Sequence, residues 1–300
     1  MSNFRVDYET RLVEEAVLRV MPGRPEEGAF RQARDHLYEL GDPDERDQAF
    51  CTFHGQWFQR LGLCQPLEET LAERPILSQE TQRCAVIRAR SKKEEGAELF
   101  VSPDPAAGRS IGLQLRPESL LEPVQLLGLL RHEFLHIADM LTPEFGYEPE
   151  LHVPEEGMAR RLVQDRYRVL WDTTIDGRLV REGHAPERVR LRRLQDFARA
   201  FPMLGPELEH HFARYFDQAN HRHAQLVCCA RDPVQALGLE DAVDRHCPLC
   251  TFPSYNFEPD PEDLPPVLVR QIQAHFPAWH PAHGICRQCA DLYRSRKEYA

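Results

Sequence analysis

No run of 18 or more apolar residues occurs among the 300 positions of the chain, so nothing in it reads as a membrane-spanning helix. The opening residues, Met1-Ser2-Asn3-Phe4-Arg5-Val6-Asp7, lack the apolar centre of a signal peptide, and the expected location is the cytoplasm. Positive charge is also short: 37 Lys and Arg face 48 Asp and Glu, a net charge of −11. Broad electrostatic binding to nucleic acid needs a basic footprint, so nucleic acid is not an expected partner. Nine cysteines could suggest a disulfide framework, but four of them are better explained by metal. What remains is a chain with 42% hydrophobic residues, enough for a core in one large domain or two smaller ones.

The most informative stretch is Arg131-His132-Glu133-Phe134-Leu135-His136-Ile137-Ala138-Asp139, an H-E-x-x-H. Residues 124–141 carry apolar positions at helical spacing. Leu127, Leu130, Phe134, Ile137 and Leu141 share one face, and Leu129, His132, Glu133, His136 and Asp139 fall near another. The i, i+4 spacing stacks the two imidazoles one turn apart, as two ligands of a tetrahedral zinc require. Glu133, turned by about 100° on the helix, can reach a metal-activated water without ligating the metal. The bland alternative is a helix whose histidines face solvent or satisfy core acceptors. The run Leu126-Leu127-Gly128-Leu129-Leu130 is apolar on nearly every side and predicts a buried helix, where two histidines and a glutamate need partners.

Thr142-Pro143 stops this helix, a Pro- and Gly-containing loop follows to Pro154, and a second helix is expected over 155–175. Glu156 lies 20 positions after His136, within Pro154-Glu155-Glu156-Gly157-Met158-Ala159. Here the chain resembles the gluzincin metallopeptidases, in which a Glu about 20 residues beyond H-E-x-x-H completes the zinc site. The resemblance implies His132, His136 and Glu156 as zinc ligands and Glu133 as general base. It is strong over about 30 residues and weak over 80–180. Some gluzincins orient a zinc-bound His with an Asp four residues after the ligand Glu; here that position is Arg160, and Asp139 could do that job instead, a surface carboxylate being the alternative. Glu155 is the fallback ligand. Asp172 and Asp176 are remoter candidates; at 1.5 Å of rise per residue they lie about 25–30 Å beyond the turn and are expected to overshoot the site.

In chain order, residues 9–20, 26–40 and 44–61 read as helices split by Met21-Pro22-Gly23 and Gly41-Asp42-Pro43. Phe50, Phe53, Trp57, Phe58 and Leu61 form an aromatic stripe assigned to packing. His36 and His54 belong to no constellation, and Cys51, Cys64 and Cys84 read as buried thiols. Three strands are expected over 84–89, 98–101 and 110–115, a small sheet leading into the H-E-x-x-H helix. That order is the one found in zincins, where an edge strand aligns a peptide substrate by main-chain pairing. Ten arginines between Arg160 and Arg193, interleaved with acids, read as a solvated helix face. Helices over 186–200 and 206–227 carry His210, His211, His221 and His223, read as helix surface, and Cys228-Cys229, read as buried thiols.

Near the C-terminus, Cys247-Pro248-Leu249-Cys250 and Cys286-Arg287-Gln288-Cys289 are two C-x-x-C knuckles with 35 residues between them. Paired knuckles are a specific signature of a structural Cys₄ zinc site. The alternatives are four plain thiols or a redox pair, and His246, His280 or His283 could replace a ligand. Residues 267–276 are amphipathic, and the second knuckle runs into a predicted helix at Ala290-Asp291-Leu292-Tyr293-Arg294. A knuckle followed by a helix-borne C-x-x-C resembles a treble-clef finger. Four cysteines leave no open coordination position, so this zinc would be structural.

The expected architecture is therefore α+β and mostly helical, with a small sheet leading into a zincin active-site helix and a small C-terminal zinc module. The expected domains are a helical region over 1–80, a metallopeptidase domain over 81–240 and a Cys₄ module over 241–300. The expected cofactors are two zinc ions, one catalytic and one structural. The expected activity is hydrolysis of peptide bonds, with a peptide or protein as substrate. Tyr147, His152, Tyr167 and His184 are candidates for the donor that stabilises the oxyanion. The other reading is a zinc-stabilised binding or regulatory protein on the same fold, with a protein partner on the C-terminal module.

Overall fold

The computed structural model describes residues 4–104, 108–149, 158–238, 246–251, 254 and 256–295. These residues are mostly helical, with one four-stranded sheet. Contacts divide the chain into two compact units, Met1–Tyr147 with Arg181–Ala185, and Glu148–Val180 with Pro186–Ala300.

The first unit is built on the sheet. Its strands are β1 (Arg5–Tyr8), β2 (Arg83–Arg88), β3 (Gly96–Val101) and β4 (Arg109–Leu115), in spatial order β1-β2-β4-β3. β1 runs parallel to β2 and β2 parallel to β4, while β3 pairs antiparallel with β4 at the edge. The three strands read from sequence appear with shifted ends, and β1 is an addition in a stretch where only helices were expected. Pleating divides each strand between two faces. Along β4 it buries Ile111, Leu113 and Leu115 and turns Ser110, Gly112 and Gln114 to the other side.

The buried face carries the core. Helix α1 (Thr10–Val20) contributes Leu12, Val13, Ala16 and Val17, spaced to fall on one side. Helices α2 (Glu27–Leu37) and α3 (Pro43–Arg60) pack through rings, with Phe30 5.4 Å from Trp57 and 5.1 Å from Phe53. The aromatic stripe is packing, as its spacing suggests. Asp42 starts α3 by accepting the N–H groups of Asp44 and Glu45, with Pro43 at the first helical position. After α4 (Gln65–Glu73), α5 (Pro75–Glu80) and the sheet comes α6 (Pro123–Leu141), the helix of the H-E-x-x-H. It buries Leu126, Leu130, Phe134, Ile137, Ala138 and Leu141 in the common core. Truncating fully buried Phe134 to Ala should cost about 3–5 kcal/mol.

One expectation about α6 needs correction. It is not buried on every side, because Val124 is 83% exposed, Gly128 is exposed, and Leu127 and Leu129 are only half-buried. The apolar run is a wide stripe facing the core, not a fully buried rod.

The second unit contains α7 (Met158–Arg181), α8 (Arg188–Ala200), α9 (Leu208–Phe216), α10 (His223–Arg231), α11 (Pro233–Leu237), α12 (Pro266–His275) and α13 (Arg287–Ser295). Residues 206–227, expected as one helix, are two, α9 and the start of α10. Phe197, Phe201, Phe212 and Phe216 are buried, with ring pairs 4.7 to 5.6 Å apart. Gly177 lets α7 approach the end of α9 so closely that a Cβ there would stand 2.0 Å from the carbonyl oxygen of Phe216. Two histidines read as surface are buried: His211, and His223, whose Nδ1 lies 2.7 Å from the Tyr167 hydroxyl. Cys229 is buried but Cys228 is exposed, and Cys51 and Cys64 are half-buried rather than buried. No described helix is long and apolar enough to cross a membrane.

Candidate metal centres

In α6 the ring Nε2 atoms of His132 and His136 lie 3.3 Å apart, with the rings nearly perpendicular. Two nitrogens on a tetrahedral zinc at 2.0–2.1 Å are separated by about 3.3 Å, so the pair already has the spacing of two ligands. The rotation of α6 is fixed from behind. Arg131 makes a two-pronged contact to Glu73 of α4, at 2.6 and 3.0 Å, and a third bond to Glu69 at 2.8 Å. The Arg131 guanidinium holds the Glu73 carboxyl below its ordinary range, against the opposing effect of burial.

Glu133 points toward the sheet edge. Its Oε2 accepts the backbone N–H of Ala97 in β3 at 3.1 Å. That stretch of β3 is itself anchored through the neighbouring Glu95, which accepts from the Arg116 backbone N–H at 3.0 Å and from the Ser119 hydroxyl, and forms an ion pair with the Arg116 guanidinium at 3.2 Å. Asp139, for which a surface position was an open alternative, is 5% exposed and therefore buried, three residues past His136. Glu156, Glu155 and His152 lie outside the described residues.

In the second unit Asp172, a remoter ligand candidate, lies on α7. Asp172 is steadied within its own unit by Arg193, which donates to its Oδ2 at 3.0 Å and to Asp176 Oδ2 at 2.6 Å. Arg193 and Asp176 are nearly buried, so this part of the arginine-rich stretch is an ion-pair network and not a solvated face.

The oxyanion candidates separate. Tyr167 is paired with His223, and His184 Nδ1 lies 3.8 Å from Glu73 and 3.7 Å from Glu182. Tyr147 is half-buried, which raises its hydroxyl pKa.

The second centre is formed by Cys247, Cys250, Cys286 and Cys289, whose sulfurs all lie within 4.8 Å of one another. Cys250 Sγ and Cys286 Sγ are 3.9 Å apart, close to the separation of about 3.8 Å for two thiolates on a tetrahedral zinc. Backbone amides converge on the sulfurs: Cys286 N–H donates to Cys247 Sγ at 3.4 Å, and Cys289 N–H to Cys286 Sγ at 3.5 Å. Burial opposes ionisation of Cys247, but the amides of Cys286, Cys250 and Leu249 outweigh it and bring its pKa down to about 7. Burial and the neighbouring sulfurs push Cys289 up. A small core surrounds the cluster, including Leu249, Leu268, Ile272, Trp279, Ile285 and Tyr293. Trp279 donates its indole N–H to the Gly284 carbonyl at 2.8 Å, and a bridge joins Phe257 to Cys286. The four cysteines could hold a metal ion.

Comparisons with protein-family models, with curated proteins and with solved structures return no match.

Proposed function

We propose that the chain is a zinc-dependent hydrolase of peptide bonds, of the gluzincin kind its H-E-x-x-H resembles. The observation that carries this reading is the 3.3 Å spacing of the two histidine nitrogens on the same helix as a carboxylate held against a sheet edge. His132 and His136 are protein ligands in this reading, and Glu156 is the third that the family resemblance implies. A zinc ion there would supply an acidified water and polarise a carbonyl. Glu133 takes the proton from the attacking water and passes it to the leaving amine. In this reading Asp139 orients a ligating histidine.

β3 is the open edge of its sheet, and it runs antiparallel to its one neighbour, β4. Since the Ala97 N–H points away from β4, the alternation of antiparallel pairing turns the N–H and C=O of Leu99 and Val101 the same way. An extended peptide would pair there, with Glu133 at the end of the pairing row. In this account the Cys₄ cluster is a structural zinc site of treble-clef type, built into the core around Trp279. Nine free thiols suit a reducing compartment such as the cytoplasm.

The test is cleavage of an unfolded polypeptide that is lost on chelation and restored by zinc. The Cys₄ module, with a core of its own, favours a second reading: a zinc-built adaptor with a protein partner. A cellular role that survives Glu133→Gln and fails in Cys247→Ser would select it.

A further inference from the structure

Two glycines in the sheet are not explained by backbone conformation. Neither Gly96 nor Gly112 has a positive φ, and Gly112 sits in β4 between β2 and β3, where a residue without a side chain weakens a strand. What both supply is space. A Cβ on Gly112 would stand 2.5 Å from the ring of Phe100, so that ring lies across β4 only because position 112 is bare. A Cβ on Gly96 would stand 3.3 Å from Glu133 Oε2. Register and pleating put Gly96, Glu98 and Phe100 on one face of β3, beside Gln114, Gly112 and Ser110 of β4. This is the face turned away from the core.

The two bare positions floor a groove of about 340 Å³ whose lining includes Ile87, Phe100, Glu98 and Gln114 and which reaches Glu133. Its walls mix apolar and charged groups: Ile87 and Phe100, exposed by 40% and 52%, share the lining with Lys93, Glu94 and Glu95 at the end nearer Gly96. Glu98 is exposed between Gly96 and Phe100, and it makes no ion pair among the described residues.

We propose that this groove selects the substrate of the hydrolase. It takes an extended peptide that carries a large apolar side chain against Phe100 and a basic side chain against Glu98, two positions apart. The spacing follows from geometry, because side chains two residues apart on a paired strand share a face and stand about 4.5–5.5 Å from those opposite. The basic residue follows from charge, because an unpaired carboxylate on the face attracts a cation and repels an acid. The apolar residue follows from the Phe100 ring, folded back over Gly112, and from Ile87 beyond it. The inference rests on the hydrolase reading for the bond cleaved, but not for the peptide bound.

The test uses the full zinc-loaded chain with Glu133→Gln, so that bound peptide is not consumed. Its probes are fluorescein-labelled decapeptides of Gly and Ser carrying Lys-x-Phe or Phe-x-Lys, with Glu or Ala replacing either residue. The Lys peptide should bind about tenfold more tightly than its Glu counterpart in at least one order. Glu98→Lys should reverse that preference, and Phe100→Ser should remove the preference for Phe over Ala. Both variants change exposed side chains and should keep the metal content of the parent. No binding, equal affinity for Lys and Glu peptides, or a preference untouched by Glu98→Lys would overturn the proposal. Selective binding without cleavage of the same peptides by the wild type leaves the groove standing and removes the hydrolase. Cleavage without the preference does the opposite.

Discussion

The Glu133 carboxylate and the Ala97 backbone N–H are joined by a 3.1 Å hydrogen bond that ties the helix carrying both histidines to the edge of the sheet. The bond sets where the carboxylate stands, and the missing side chain at Gly96 leaves room for it.

Gly96→Ala tests this placement. The added methyl would stand 3.3 Å from Oε2 and 3.7 Å from Cδ, so the carboxylate must shift by a few tenths of an ångström. Turnover should fall about tenfold with metal content and folding unchanged, because small displacements of a reacting group are costly. Peptide turnover and zinc content, measured on the same preparation, check it.

The elements that could be read from the sequence are those whose signal is local. The spacing of His132, Glu133 and His136 defines a helix face by itself, and the two C-x-x-C knuckles mark a cluster that could hold a metal by thiol spacing alone. β1 could not be read, because four residues carry too little alternation; pairing with Arg83–Val86 makes Arg5–Tyr8 a strand. The partner of Glu133 was equally hidden, since a backbone amide leaves no mark in a sequence. His223 was taken as surface because its partner, Tyr167, lies 56 residues away.

Metal content separates the two centres and names the third ligand. The wild type should hold two zinc ions per chain, Cys247→Ser one and His132→Ala one. Cys247→Ser should also loosen the core around Trp279, since structural zinc contributes to folding directly. Glu156→Ala should weaken the histidine site by more than about a hundredfold, beyond the usual effect of losing an outer hydrogen bond. Glu155→Ala should leave it nearly intact; the reverse pattern, by titration of zinc into stripped protein, would give the site to Glu155.

Acid should loosen the anchor of β3. Burial disfavours the Glu95 carboxylate, but bonds from Ser119 and from the backbone and side chain of Arg116 outweigh it and lower its pKa. A depressed carboxylate pKa gives stability that is fully present above the unfolded value of about 4.3 and is lost as pH falls through the folded value. Urea midpoints should therefore decline below about pH 4, and Glu95→Gln should lower the plateau and flatten that decline. An unchanged slope in Glu95→Gln would remove Glu95 from the anchor.

The central claim is that Glu133 is the base of a zinc hydrolase, and the most direct measurement compares wild type with Glu133→Gln for turnover of one unfolded polypeptide at equal zinc content. The account predicts two zinc ions in both proteins and a loss of turnover of about 10²–10⁴-fold or more in the variant, the worth of a general-base step. A wild type that cuts no polypeptide with both sites filled, or a variant that cuts as fast as the wild type, would contradict it.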